Sequence, residues 1–244
     1  GPDWRVTVIL ASLWAAGSAV LVLFTRLGPH HAAAPRFSPE TLGLAWRHRP
    51  IRLAYAGYLC HMWELYAFWA WIGAALTASL TLAGSEDPAR AARFATFAAI
   101  GLGGLVCIPA GALADRIGKA RVAGGAMGLS AGFAFATALS FGGPAWLTVT
   151  LAILWGIAVI PDSAQFSALV ADAAPPESAG SLMTFQTALG FLLTAFTIQG
   201  APFVAAAFGW PVTLALFGLG PLLGVEAMRR LASSGSAQVR RRVR

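Results

Sequence analysis

Three ionisable side chains stand inside long apolar stretches of this chain. His61 and Glu64 fall in the run GYLCHMWELYAFWAW, and Asp162 follows Pro161 directly. An ionisable group in hydrocarbon is costly and is by default a functional-site hypothesis. His61 precedes Glu64 by one helical turn on the same face. One imidazole and two carboxyl groups together have the makings of a proton-exchanging site. Tyr58 shares the His61 face, and Gln165 follows Asp162 by three residues. Gln165 and Gln186 each carry an amide that can bind a ligand or bridge two helices. The alternative for His61 and Glu64 is a structural pair tying helices together. For Asp162 it is a cap, or a side chain reaching toward the membrane surface. Trp63, Trp69 and Trp71 crowd the same run, where they suit either an aromatic wall or ordinary packing and interface anchoring.

Other chemistries find little support. His61 and Glu64 offer two metal ligands at most, and no nucleophile–base constellation accompanies them, so the sequence is not read as an enzyme. No Gly-rich phosphate loop appears, and neither a cofactor nor a metal is expected. Cys60 and Cys107 lie within apolar stretches and read as small buried hydrophobes.

These residues must be held by membrane-spanning helices. The chain has 244 residues, 57% of them hydrophobic and 11% charged, with mean hydropathy +0.69. A soluble domain carries about 25% charged residues. A spanning helix needs about 20 mostly apolar residues, and seven candidates can be counted: Trp4–Phe24, Leu53–Leu82, Phe94–Leu113, Val122–Phe141, Ala145–Val170, Ser181–Phe203 and Pro211–Met228. The stretches are long and rich in Ala, Leu and Gly without alternation, which argues against strands. The fold class is an all-α membrane protein.

Depth adds a constraint. With midplanes near Tyr66 and Ala158, His61 lies about 7 Å and Asp162 about 6 Å on the same side, at about 1.5 Å per residue. The two are expected to share a layer. Gly124, Gly128 and Gly132 form a row on the fourth span, and Gly103, Cys107 and Gly111 form one on the third; both suit close helix pairs. Pro109, Pro161 and Gly190 are candidate bend points.

Fourteen of the 17 basic residues fall in the connection after the first span, the connection after the third, or the tail. Basic connections stay cytoplasmic, which places the C-terminus inside. The net charge of +7 is thereby accounted for by topology rather than by a nucleic-acid partner. In the first connection, Ser38-Pro39-Glu40 has the form of an N-cap, a first-turn proline and an acidic first turn, and Pro50 closes the run. A short surface helix and a solvated loop both fit. The chain begins Gly-Pro-Asp and is expected to start within a longer protein.

The connection after the third span reads GALADRIGKAR from Gly111 to Arg121. It resembles the G-x-x-x-D-R-x-G-[RK] signature joining the second and third helices of each half of a major facilitator superfamily transporter. The matching positions are Gly111, Asp115, Arg116, Gly118 and Lys119; Ala120 stands where a second basic residue is often found. Gly111 and Gly118 suit close packing and a tight turn, and Asp115 can pair with an arginine or cap a helix.

The resemblance implies a superfamily-type helical bundle holding family helices six to twelve. Residues 1–25 would be the last helix of the N-terminal half, 26–52 the central cytoplasmic loop, 53–230 the C-terminal six-helix half and 231–244 a basic cytoplasmic tail. It further implies alternating-access transport of a small-molecule substrate in the cytoplasmic (inner) membrane, driven by a coupling proton or ion. The partners would be membrane lipid and the missing N-terminal half. Under it, His61, Glu64 and Asp162 are expected to face a central cavity, Tyr58 and Gln165 join them as candidates to bind substrate or proton, and the signature loop helps to hold the cytoplasmic gate. No arginine occurs from Phe94 to Leu113, where the nitrate and nitrite branch places an anion-binding one. The alternatives are a membrane sensor or scaffold of the same fold and, for the loop, a basic hairpin that only sets topology.

Overall fold

The structure, a computed structural model, describes residues 3–25 and 39–242, with side chains over 3–25 and 40–234. Arg26, Arg36 and the Ser38 cap position lie outside the described residues, as do Arg244 and the side chains of Arg240, Arg241 and Arg242. The chain divides into two compact units, Gly1–Arg36 and Phe37–Arg244. The first holds one helix, α1 (Trp4–Val22), on which no residue is buried. Asp3 caps it, its carboxylate accepting from the Arg5 N–H at 3.0 Å. Its Ser12 and Ser18 hydroxyls return to carbonyls one turn back, so the helix satisfies its own polar groups.

The second unit is helical, with no strand among the described residues: α2 (Pro39–Leu42), α3 (Leu44–Arg47), α4 (Arg49–Leu82), α5 (Pro88–Ile117), α6 (Lys119–Leu139), α7 (Ala145–Val159), α8 (Ser163–Ala173) and α9 (Pro176–Arg242). Across the described residues of both units, six helical stretches are long and apolar enough to cross a membrane. The chain is therefore an integral membrane protein by length and composition.

Four local features bear on the sequence expectation and have physical causes. Pro50 does not end a helix; it occupies the first turn of α4, where its missing N–H is no loss. The expected surface helix is two single turns, α2 and α3, and Ala45 and Ile51 pack with Tyr55, Val170 and Leu182. Part of the expected connecting loop is thus built into the bundle. The fifth span is interrupted at 160–162, between α7 and α8, where Pro161 has no N–H for the carbonyl one turn earlier.

The fourth concerns α9. The stretch Pro176–Ser234 has 59 residues, about 88 Å of helix against a hydrocarbon core of about 30 Å. Gly209, at φ 84° and ψ 165°, breaks it. Both arms lie along α4. Leu182 accepts from the Tyr55 hydroxyl and Ile198 from the Trp71 indole. Past the break, Trp210 lies against Trp71, and Met228 lies against Gly57. The arms therefore run in opposite directions. Helix α6 packs on α9 and α7, and α5 packs mainly on α7.

Candidate functional site

Glu64 sits in the middle of α4 on a face where long side chains meet neighbouring helices. Its Oε1 accepts from Ser130 Oγ on α6 at 2.8 Å and from Trp155 Nε1 on α7 at 2.6 Å. All three residues are at most 1% exposed. Trp155 is fixed by packing as well, its ring 4.7 Å from that of Phe68. Three helices thereby converge on one carboxylate oxygen, and these charge-assisted bonds lessen the cost of holding it away from water.

His61 is one turn away but turns to a different helix. Its Nδ1 is 3.0 Å from Oδ1 of Asp162, and both side chains are almost wholly inaccessible. The distance suits a bond but the alignment does not: among the described residues, Nδ1 and Nε2 of His61 and Oδ1 of Asp162 have no hydrogen-bond partner. The two side chains are thus in close contact without a hydrogen bond between them. Asp162 falls in the break between α7 and α8. Its side chain caps nothing, and the local backbone bonds run from Ser163 N–H to Ile160 O and from Gln165 N–H to Asp162 O, both 3.0 Å.

The expected shared layer of His61 and Asp162 is seen as direct contact. His61 and Glu64 do not bond each other, because each meets a different neighbour across the bundle. Tyr58 packs on Phe166 and lies 6.4 Å from His61, ring to ring. Gln165 is buried on α8 and its side chain takes no part in these bonds. Both polar atoms of the Gln186 side chain are buried without a partner among the described residues.

The five candidates read from the sequence are Tyr58, His61, Glu64, Asp162 and Gln165. All five are buried within the second unit, because the polar face of α4 is closed over by α6, α7, α8 and the first arm of α9. A cavity of about 660 Å³ lies elsewhere, lined by His48, Lys119, Arg121, Asp172 and Leu231 among others.

Of the signature residues, Gly118 and Lys119 line that cavity, and the connection is shorter than the expected span bounds imply. Gly111, Asp115 and Arg116 are still helical in α5, and the turn is made at Gly118 alone, at φ 99°. That conformation suits glycine and strains other residues. Gly111 packs against nothing: a side-chain carbon there would meet no atom within 4 Å. Asp115 and Arg116 are exposed and join no ion pair among the described residues. Lys119 reaches Asp172 at the end of α8, and Arg121 donates to the Ile117 carbonyl at 3.1 Å.

Sequence reasoning missed Ser130 and Trp155. Ser130 lies between Gly128 and Gly132, in a stretch read as small-residue packing, and Trp155 resembles any aromatic in a span. A buried indole N–H needs an acceptor, which was the available signal, but nothing in the sequence says which acceptor. Comparison of the chain with protein-family models, with curated proteins and with solved structures finds no match.

Proposed function

We propose that this chain is part of a secondary active transporter that moves a small solute across the cytoplasmic membrane by alternating access, with proton coupling at the buried network around Glu64. In this reading the two arms of α9 are separate spans, giving seven in all. The chain is then the last helix of one half and the six-helix second half of a major facilitator-type bundle, with a cytoplasmic C-terminus. The observation that carries the proposal is the network itself. Two carboxyl groups and an imidazole are buried at the centre of an apolar bundle, and α4, α6, α7 and the α7–α8 break all contribute to it. Such groups are expensive in a membrane, and a folded bundle gains more from apolar packing unless they act. The Gly111–Lys119 signature and the bias of basic residues support the same reading.

The test is uptake into proteoliposomes by the full-length protein under an imposed proton gradient. The panel is organic acids, small anions and hydrophobic cations, with Glu64→Gln beside the wild type. Gradient-driven accumulation that the variant loses supports the proposal. Accumulation that the variant keeps leaves transport and makes Glu64 structural. No accumulation across the panel favours the second reading, a non-transporting sensor or scaffold. One observation speaks for that reading: the site residues are packed shut rather than open to a cavity.

A further inference from the structure

The two donors at Glu64 do not share its oxygens. Ser130 Oγ and Trp155 Nε1 both bond Oε1, and among the described residues no hydrogen bond reaches Oε2. An oxygen that already accepts two bonds is a poor place for a proton, whereas a bare one is free to take it. We propose that Ser130 and Trp155 are positioning residues that commit Oε1 of Glu64 to accepting, so that the exchangeable proton of this site is carried on Oε2.

The inference rests on the proton-coupled reading above and adds the atom that binds the proton and the residues that select it. In the deprotonated state both donors steady the carboxylate; on protonation Oε2 gains the hydrogen and Oε1 remains the doubly bonded acceptor. No other group changes charge in that step. Trp155 suits the task because its indole can only donate, so it cannot turn to accept when Glu64 is protonated. Ser130 can also accept, so Trp155 sets the asymmetry and Ser130 reinforces it.

Few other ionisable groups face the site. Helix α4 itself brings His61, Cys60 and the Tyr58 and Tyr66 phenols, and the α7–α8 break brings Asp162. The middle of α5 brings only the Cys107 thiol, which lies near Asp162. Helix α7 carries no ionisable side chain, the middle of α6 and the middle of α9 bring none, and the Asp172 carboxylate of α8 lies at its far end with Lys119. Changes at Ser130 and Trp155 therefore act on Glu64 without removing another charge.

The experiment is an infrared pH titration of the full-length protein in lipid, following the carbonyl band of a protonated carboxyl that Glu64→Gln abolishes. Ser130→Ala and Trp155→Phe are compared with the wild type; the phenyl ring keeps the contact with Phe68, and circular dichroism and thermal melting check the fold. Losing a donor removes support from the carboxylate, so the midpoint is expected to rise by about one pH unit per donor. The band itself should move to higher frequency in both variants, since Oε1 is the carbonyl oxygen and loses a bond. A rising midpoint with a fixed frequency puts the proton on Oε1 and overturns the proposal. So does an unmoved midpoint in both variants, or the absence of any Glu64 band. A purely structural role would move the melting temperature alone. Transport is read separately: uptake with unmoved infrared bands removes this inference and leaves the transporter, and the converse removes the transporter and leaves the proton site.

Discussion

Helices α4 and α5 are neighbours of similar length and strong apolarity, yet they are held by different means. Helix α4 buries large and polar side chains alike, among them Tyr55, His61, Glu64 and Phe68. Helix α5 buries only a thin stripe of small residues: Ala92, Ala95, Ala99, Gly103, Ala110 and Ala114. Its Phe94, Phe97, Leu105 and Ile108 point outward. The contrast follows from the solvent. Lipid is as apolar as leucine, so a large apolar side chain gains little by turning inward, and close approach of backbones decides instead. Polar groups gain a great deal by turning inward, because a partner exists only there. A helix with polar groups mid-span is therefore drawn to the centre, and a helix without them is held at the edge by its small residues.

The strongest way to break that contrast is Trp155→Ala. It removes a wholly buried ring from beside Phe68 and a donor from Glu64. We expect a loss of roughly 3–5 kcal/mol, largely from the cavity, read as a lower unfolding midpoint in detergent. Next comes Gly156→Leu at the α5–α7 contact. Even a bare side-chain carbon at Gly156 would collide with the Ala99 backbone, and a leucine there should cost about 1–3 kcal/mol. An unfolding midpoint equal to that of the wild type would show that the small-residue contact does not hold α5. The smallest effect belongs to Leu105→Ala on the outer face, where the side chain is 66% exposed. It exchanges one lipid contact for another and should stay within about 0.5 kcal/mol. A larger loss would mean that this face is covered by protein, which unfolding measured in lipid and in detergent would reveal.

Legibility in the sequence followed the same division. The apolar spans could be counted because hydropathy is a sum over neighbours along the chain. His61, Glu64 and Asp162 could be singled out because a charge in an apolar run is visible without a fold. Pro161 could be marked as a bend point, since a missing N–H is a local fact, and the break stands there. The turn at Gly118 was half legible: glycine announced it, but the helix runs on to Ile117, because nothing in Gly111–Arg116 forbids helix. The burial of His61 and Glu64 beneath neighbouring helices was not legible, since it depends on which helices close over that face.

The chain by itself determined its solvent, its helices and the ionisable groups placed at cost within them, all properties of a segment and its immediate neighbours. Only the tertiary structure decided what each group meets. Ser130 and Trp155 are 66 and 91 residues from Glu64 in sequence, and their bonds depend on the rotation and depth at which α6 and α7 dock on α4. Those are set by many small packing contacts at once, such as Gly156 on Ala99, Gly124 on Met228 and Trp155 on Phe68, each too weak and too remote in sequence to be read alone.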